Sequence, residues 1–180
     1  MLNSFQKRRI IWLTGVATFF FGFGVAAALN IYLYAVRSPL VLNFRSSLNF
    51  ISSILGDGLV LPVVNMLIVS HILNNQKYVN KLSLTVGAIM GLLITIYFHV
   101  TQAMKGLVNW SMPTPWHWNL LGLWHFFYML SVTSLLSFYF VISIIEISQT
   151  KKFPKNFIFV ILGILFFLIL LKLDYASVKL

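Results

Sequence analysis

Five long apolar runs, each broken by a short polar or basic stretch, follow one another along the chain at about 10–35, 50–73, 82–104, 115–148 and 157–173. A helix that crosses hydrocarbon needs roughly 20 mostly apolar residues, within a range that all five runs reach or exceed. Period-two alternation of apolar and polar positions is missing, and an unpaired backbone amide is costly in lipid, so the runs read as helices and not as strands. The pattern predicts an all-α integral membrane protein: one transmembrane domain over residues 1–180, a bundle of about five helices.

Prolines and charges sharpen the boundaries. Pro113 and Pro115 flank Thr114 just before the fourth run, which predicts Thr114 as a helix cap with Pro115 in the first turn. Pro154 separates the fourth run from the fifth. Lysine and arginine placement sets the orientation. With the amino terminus in the cytoplasm, the inner segments hold Lys7, Arg8, Arg9, Lys77, Lys81, Lys151, Lys152 and Lys155, and the outer segments hold Arg37, Arg45, Lys105, Lys172 and Lys179. That excess predicts the amino terminus inside and the carboxyl terminus outside. Trp12 falls beside the inner charges, and Trp110, Trp116, Trp118 and Trp124 cluster near an outer one, as interfacial aromatic belts do. The basic start and Ala26-Ala27-Ala28 of the first run resemble a cleavable secretory signal, but its apolar stretch is longer than a signal core, which predicts a retained helix.

Composition agrees and narrows the chemistry. Of the 180 residues 59% are apolar and 9% charged, against about half and a quarter in an ordinary soluble domain. There is no cysteine, which excludes disulfides, thiolate nucleophiles and cysteine-held zinc or iron–sulfur sites. The net charge of +10 sits in short clusters between apolar runs, a distribution that points to anionic lipid headgroups and not to nucleic acid.

In such a chain the informative residues are the polar ones at depth. The second run carries Asp57, Asn65 and His71, the third His99 and Gln102, and the fourth begins with His117, Asn119 and His125, followed by Tyr128. Asp57 lies between Gly56 and Gly58, and Pro62 cannot donate to the carbonyl of Gly58, which leaves a freed carbonyl beside a carboxyl group. Stepping 100° per residue puts Ser53, Asp57, Ile68 and His71 on one face with Asn65 at its edge, a face expected to turn into the bundle. In the third run Ser83, Gly87, Gly91, Thr95 and His99 recur every four residues, a stripe of small residues that lets another helix approach closely. Glu146 and Asp174, near helix ends, are expected to be solvated or paired with Lys151 and Lys172.

By the orientation above Asp57, His99, His117 and His125 all fall toward the outer leaflet, with Asn65, Gln102, Asn119 and Tyr128 as further polar lining of a pocket there. A carboxylate and three imidazoles can act as acid and base near neutral pH, and Asp57, His99 and His125 supply the donor types of a divalent metal, although their spacing matches no known metal motif. Three functions fit: a membrane subunit, sensor or immunity-type protein that binds a protein partner, lipid or a second copy; an outer-leaflet hydrolase or transferase acting on a lipid-linked substrate; or a small transporter or channel.

Overall fold

The computed structural model describes the backbone of residues 2–36, 51, 54–104 and 120–178, and side-chain surroundings within 2–24, 51, 54–97 and 126–170. The described residues are helical, without a strand. Helix α1 spans Ser4–Val36, a π turn Gly56–Val60 leads into α2 over Leu61–Asn74, and a single 3-10 turn, Gln76–Tyr78, precedes α3 over Lys81–Met104; α4 spans Leu120–Thr150 and α5 Phe157–Val178. Two stretches, Gly56–Asn74 and Phe126–Thr150, are long and apolar enough to cross a membrane, and Lys81–Tyr97 and Phe157–Leu170 are shorter apolar helices.

Helix starts are set by local side chains. Asn3 and Gln6 cap α1 reciprocally: the Gln6 amide donates to Asn3 Oδ1 at 2.8 Å, and the Asn3 amide donates to Gln6 Oε1 at 3.0 Å. The helix therefore begins six residues before the apolar run, because the cap and the basic turn Lys7–Arg9 extend it past the part that hydropathy registers. Asn80 and Ser83 do the same for α3, at 2.8 and 3.0 Å. The expected Thr114 cap and Pro115 turn lie outside the described residues, where α4 is seen from Leu120 onward.

Pro62 leaves its mark one turn earlier than a simple kink. The Leu61 amide donates to the carbonyl of Gly56, five residues back, so the turn around Asp57 is widened into a π turn. This corrects the projection made at 100° per residue. The extra residue rotates Asp57 by about 100° relative to Asn65 and Ile68 from where a straight helix would hold it.

The chain divides into two compact units, Met1–Val69 with Asn156–Leu180, and Ser70–Lys155. In the first, the π turn packs on α1 and α5. Gly15, Thr18 and Gly22 form the buried line of α1, and a Cβ on Gly56 would come 3.2 Å from the Phe167 ring. In the second, α3 and α4 form the most extensive helix pair. Ser83, Gly87, Gly91 and Thr95 of α3 are all buried, so the small-residue stripe is a packing seam, occupied by the chain's own α4 and not by a second copy. A Cβ on Gly87 would stand 2.8 Å from the Cα of Phe138.

Candidate functional site

Among the described residues, three pairs of polar side chains tie helix to helix, and buried Ser137 and Ser143 of α4 lie outside them. In the second unit Thr95 Oγ1 and Thr133 Oγ1 are 2.7 Å apart, and Thr133 Oγ1 also reaches the carbonyls of Gly91 at 3.0 Å and Met129 at 2.8 Å. Both threonines are buried, and Gly91 is what allows the hydroxyls to meet, since any larger side chain would hold α4 away. In the first unit Asn65 Nδ2 donates to Thr18 Oγ1 at 3.2 Å, and Thr18 in turn donates to the Thr14 carbonyl at 2.8 Å. Asn65 is 4% exposed, and its Oδ1 is buried with no hydrogen-bond donor among the described residues.

The third tie is the one with ionisable groups on both sides. His71, at the end of α2, places Nε2 3.0 Å from Oε2 of Glu146 near the end of α4, with side-chain exposures of 5% and 18%. Asn75 Nδ2 is 3.1 Å from His71 Nδ1 and 3.2 Å from the His71 carbonyl oxygen. Turning the amide over would set two oxygens against each other, so Nδ2 is the donor and Nδ1 the acceptor. A neutral imidazole then carries its proton on Nε2, the nitrogen that stands 3.0 Å from Glu146 Oε2, although that oxygen completes no hydrogen bond among the described residues. The Tyr139 ring meets the imidazole edge-on at 5.2 Å. Glu146, expected to be solvated or paired with Lys151, instead meets His71 on a neighbouring helix: one turn of α4 before its end still faces the seam, whereas Lys151 lies past the end and is exposed.

The outer-leaflet set is described only in part. Asp57 is half-buried in the π turn and takes part in an interaction there, Asn65 is the buried amide just described, and Tyr128 is buried on α4. His99, Gln102 and His125 lie on the α3 and α4 backbones with side chains outside the described residues, and His117 and Asn119 lie outside them altogether. Asp174 is likewise on α5 with its side chain outside them. Among the described residues no three His, Asp or Glu side chains come together to hold a metal ion. His71 and Glu146 make two donors, one short of the three protein ligands of a catalytic zinc.

Sequence spacing missed the His71–Glu146 pair because the two residues lie 75 positions apart on helices that hydropathy treats independently. The available signal was their shared position, one imidazole and one carboxylate each within a turn of a helix end on the same predicted side. Comparison with protein-family models, with characterised proteins and with solved structures found no match to this chain.

Proposed function

We propose that the chain is a multi-pass protein of the cell membrane, amino terminus in the cytoplasm and carboxyl terminus outside, that works by binding: a membrane subunit, sensor or immunity-type protein engaging a protein partner, lipid or a second copy of itself. The observation that carries this reading is the apolar outer face of the helices. Large apolar side chains point outward, among them Phe20 at 66%, Leu93 at 60% and Ile158 at 68% exposed, while serines, threonines and glycines share the helix seams with buried Ile68, Tyr139 and Ile142. Water disfavours so much exposed apolar surface, and hydrocarbon accepts it. A binding role is favoured over catalysis because the polar ties described above join helix to helix, and much of the described surface between the helix ends is apolar.

Blue-native electrophoresis of gently solubilised membranes tests the binding role. The expected result is migration in a complex larger than the detergent-bound monomer, whether with another protein or a second copy. A monomer that by itself turns over a lipid-linked substrate would replace this reading with another.

One observation favours such a second reading, an outer-leaflet hydrolase or transferase. Asp57 sits in a π turn, a local irregularity frequent at functional sites. In that case Asp57, His99, His117 and His125 would hold a metal or serve as acid and base on the substrate. Loss of turnover in Asp57→Asn with an intact fold would support it.

A further inference from the structure

Five exposed lysines gather at one end of the second unit. The segment between α2 and α3 supplies Lys77 and Lys81, and the turn after α4 supplies Lys151, Lys152 and Lys155. The 3-10 turn packs on α4, and His71 meets Glu146 one turn before α4 ends, so both connecting segments occupy the same end. Glu146 is the sole acid in the sequence from 70 to 155, and its carboxylate is drawn to His71. The lysine cluster thus keeps its charge.

Local backbone features make the charge more conspicuous. Lys81 is the first residue of α3, whose first turn holds no acid, although a helix start favours a negative group and disfavours a positive one. Lys151 takes the left-handed conformation with φ of 57°, where a glycine is usual, and its amide closes on the Ile147 carbonyl at 2.8 Å. Lys81 is therefore a cation at a place where the helix dipole runs against it, which an external anion offsets, while the left-handed turn at Lys151 sets where the lysines leave the end of α4. Phe153 stands among the lysines, 70% exposed. A small soluble anion gains nothing from a bare phenyl ring. A lipid surface takes the ring at its acyl boundary and the ammonium groups at its phosphates.

We propose that this end is a binding surface for the anionic phospholipid headgroups of the leaflet it meets, with Phe153 as its apolar anchor. The proposal rests on the membrane reading above and adds to it the site at which anionic lipid is held. Each lysine near an anionic surface favours the headgroup by about fivefold, so one held by one or two of them is preferred by about five- to twenty-five-fold.

The test uses the full-length protein reconstituted in phosphatidylcholine bilayers, with spin-labelled phosphatidylglycerol or spin-labelled phosphatidylcholine as probe. The motionally restricted fraction gives the relative association of the two lipids. The wild-type protein is expected to favour phosphatidylglycerol severalfold, with the preference falling as salt is added. Replacing all five lysines by glutamine is expected to remove most of that preference, while replacing them by arginine keeps it; equal helical circular dichroism confirms that each variant is folded. Equal association of both lipids with the wild type, or a preference that survives in the glutamine variant, overturns the proposal. So does displacement by inorganic phosphate that exceeds the effect of sodium chloride at the same ionic strength, which would assign the lysines to a soluble anion. A chain that does not co-float with the liposomes fails at the membrane reading itself, and flotation is scored separately from lipid preference.

Discussion

Gly91 of α3 lies so close to Ser134 of α4 that a Cβ built on the glycine would fall on the serine's Cα and Oγ. Neither backbone can yield without separating the two helices. Gly24 of α1, by contrast, has nothing within 4 Å of the same hypothetical atom. In an isolated helix, glycine to alanine is favourable by about 1 kcal/mol. Gly24→Ala is expected to be neutral or stabilising by up to that amount, and Gly91→Ala destabilising by about 1–3 kcal/mol through overpacking. Unfolding of the two variants in mixed micelles compares them directly, and equal effects would mean that the α3–α4 seam is looser than described.

The hydroxyl pair above that glycine gives a second expectation. Thr95→Val and Thr133→Val each remove one side of the 2.7 Å contact. Hydrogen bonds between helices within a membrane contribute about 0.6 kcal/mol on average and about 1.7 at most. A double-mutant cycle on these two positions is expected to give a coupling in that range, and each single change is expected to cost more than the coupling, because Thr95 also reaches the Gly91 carbonyl and Thr133 those of Gly91 and Met129.

For His71 and Glu146 the expectation concerns both energy and protonation. Removing either partner strands the other in a largely buried place, so His71→Ala and Glu146→Ala are each expected to cost about 1–3 kcal/mol, less than a fully buried pair because Glu146 keeps some contact with solvent. The double variant is expected to cost less than the two single costs together. Nitrogen NMR of the imidazole at neutral or mildly alkaline pH is expected to show the neutral ring protonated on Nε2, with Nδ1 accepting from Asn75. A ring protonated on Nδ1 would contradict the hydrogen bond assigned from Asn75.

Asn65 separates stability from use. Its amide donates to Thr18, yet its oxygen is buried without a described donor. Asn65→Leu fills a similar volume and removes that orphaned acceptor, while Thr18 keeps its bond to the Thr14 carbonyl. The variant is expected to be as stable as the wild type or more so, by up to about 1 kcal/mol. Loss of partner binding in a more stable protein would place Asn65 in the function, and a clear loss of stability would show that its oxygen has a donor.

Much of the helical layout was readable from hydropathy, because lipid-length apolar runs and the prolines between them are local properties. The stripe Ser83, Gly87, Gly91 and Thr95 was legible for the same reason: small residues four apart mark a close approach, and the structure adds only that the approaching helix is α4. What the sequence hid depends on geometry. A straight-helix projection misplaces Asp57, since the missing amide of Pro62 widens the preceding turn instead of simply freeing a carbonyl. The pairing of His71 with Glu146 needs two helix ends to be adjacent, and charge spacing along one helix favours Lys151 instead.

The most direct test of the account uses the chain's lack of cysteine, which makes it a ready background for single-cysteine labelling. Cysteines placed at Leu93 and Phe166, exposed apolar positions in the middle of α3 and α5, and at Ser4 and Lys151, at helix ends, are treated in intact cells and in inverted vesicles with a membrane-impermeant maleimide. The account predicts no labelling at Leu93 or Phe166 from either side, and labelling at Ser4 and Lys151 from the cytoplasmic side alone. Ready labelling of Leu93 and Phe166 in the folded protein would contradict it, because those side chains would then face water and not hydrocarbon.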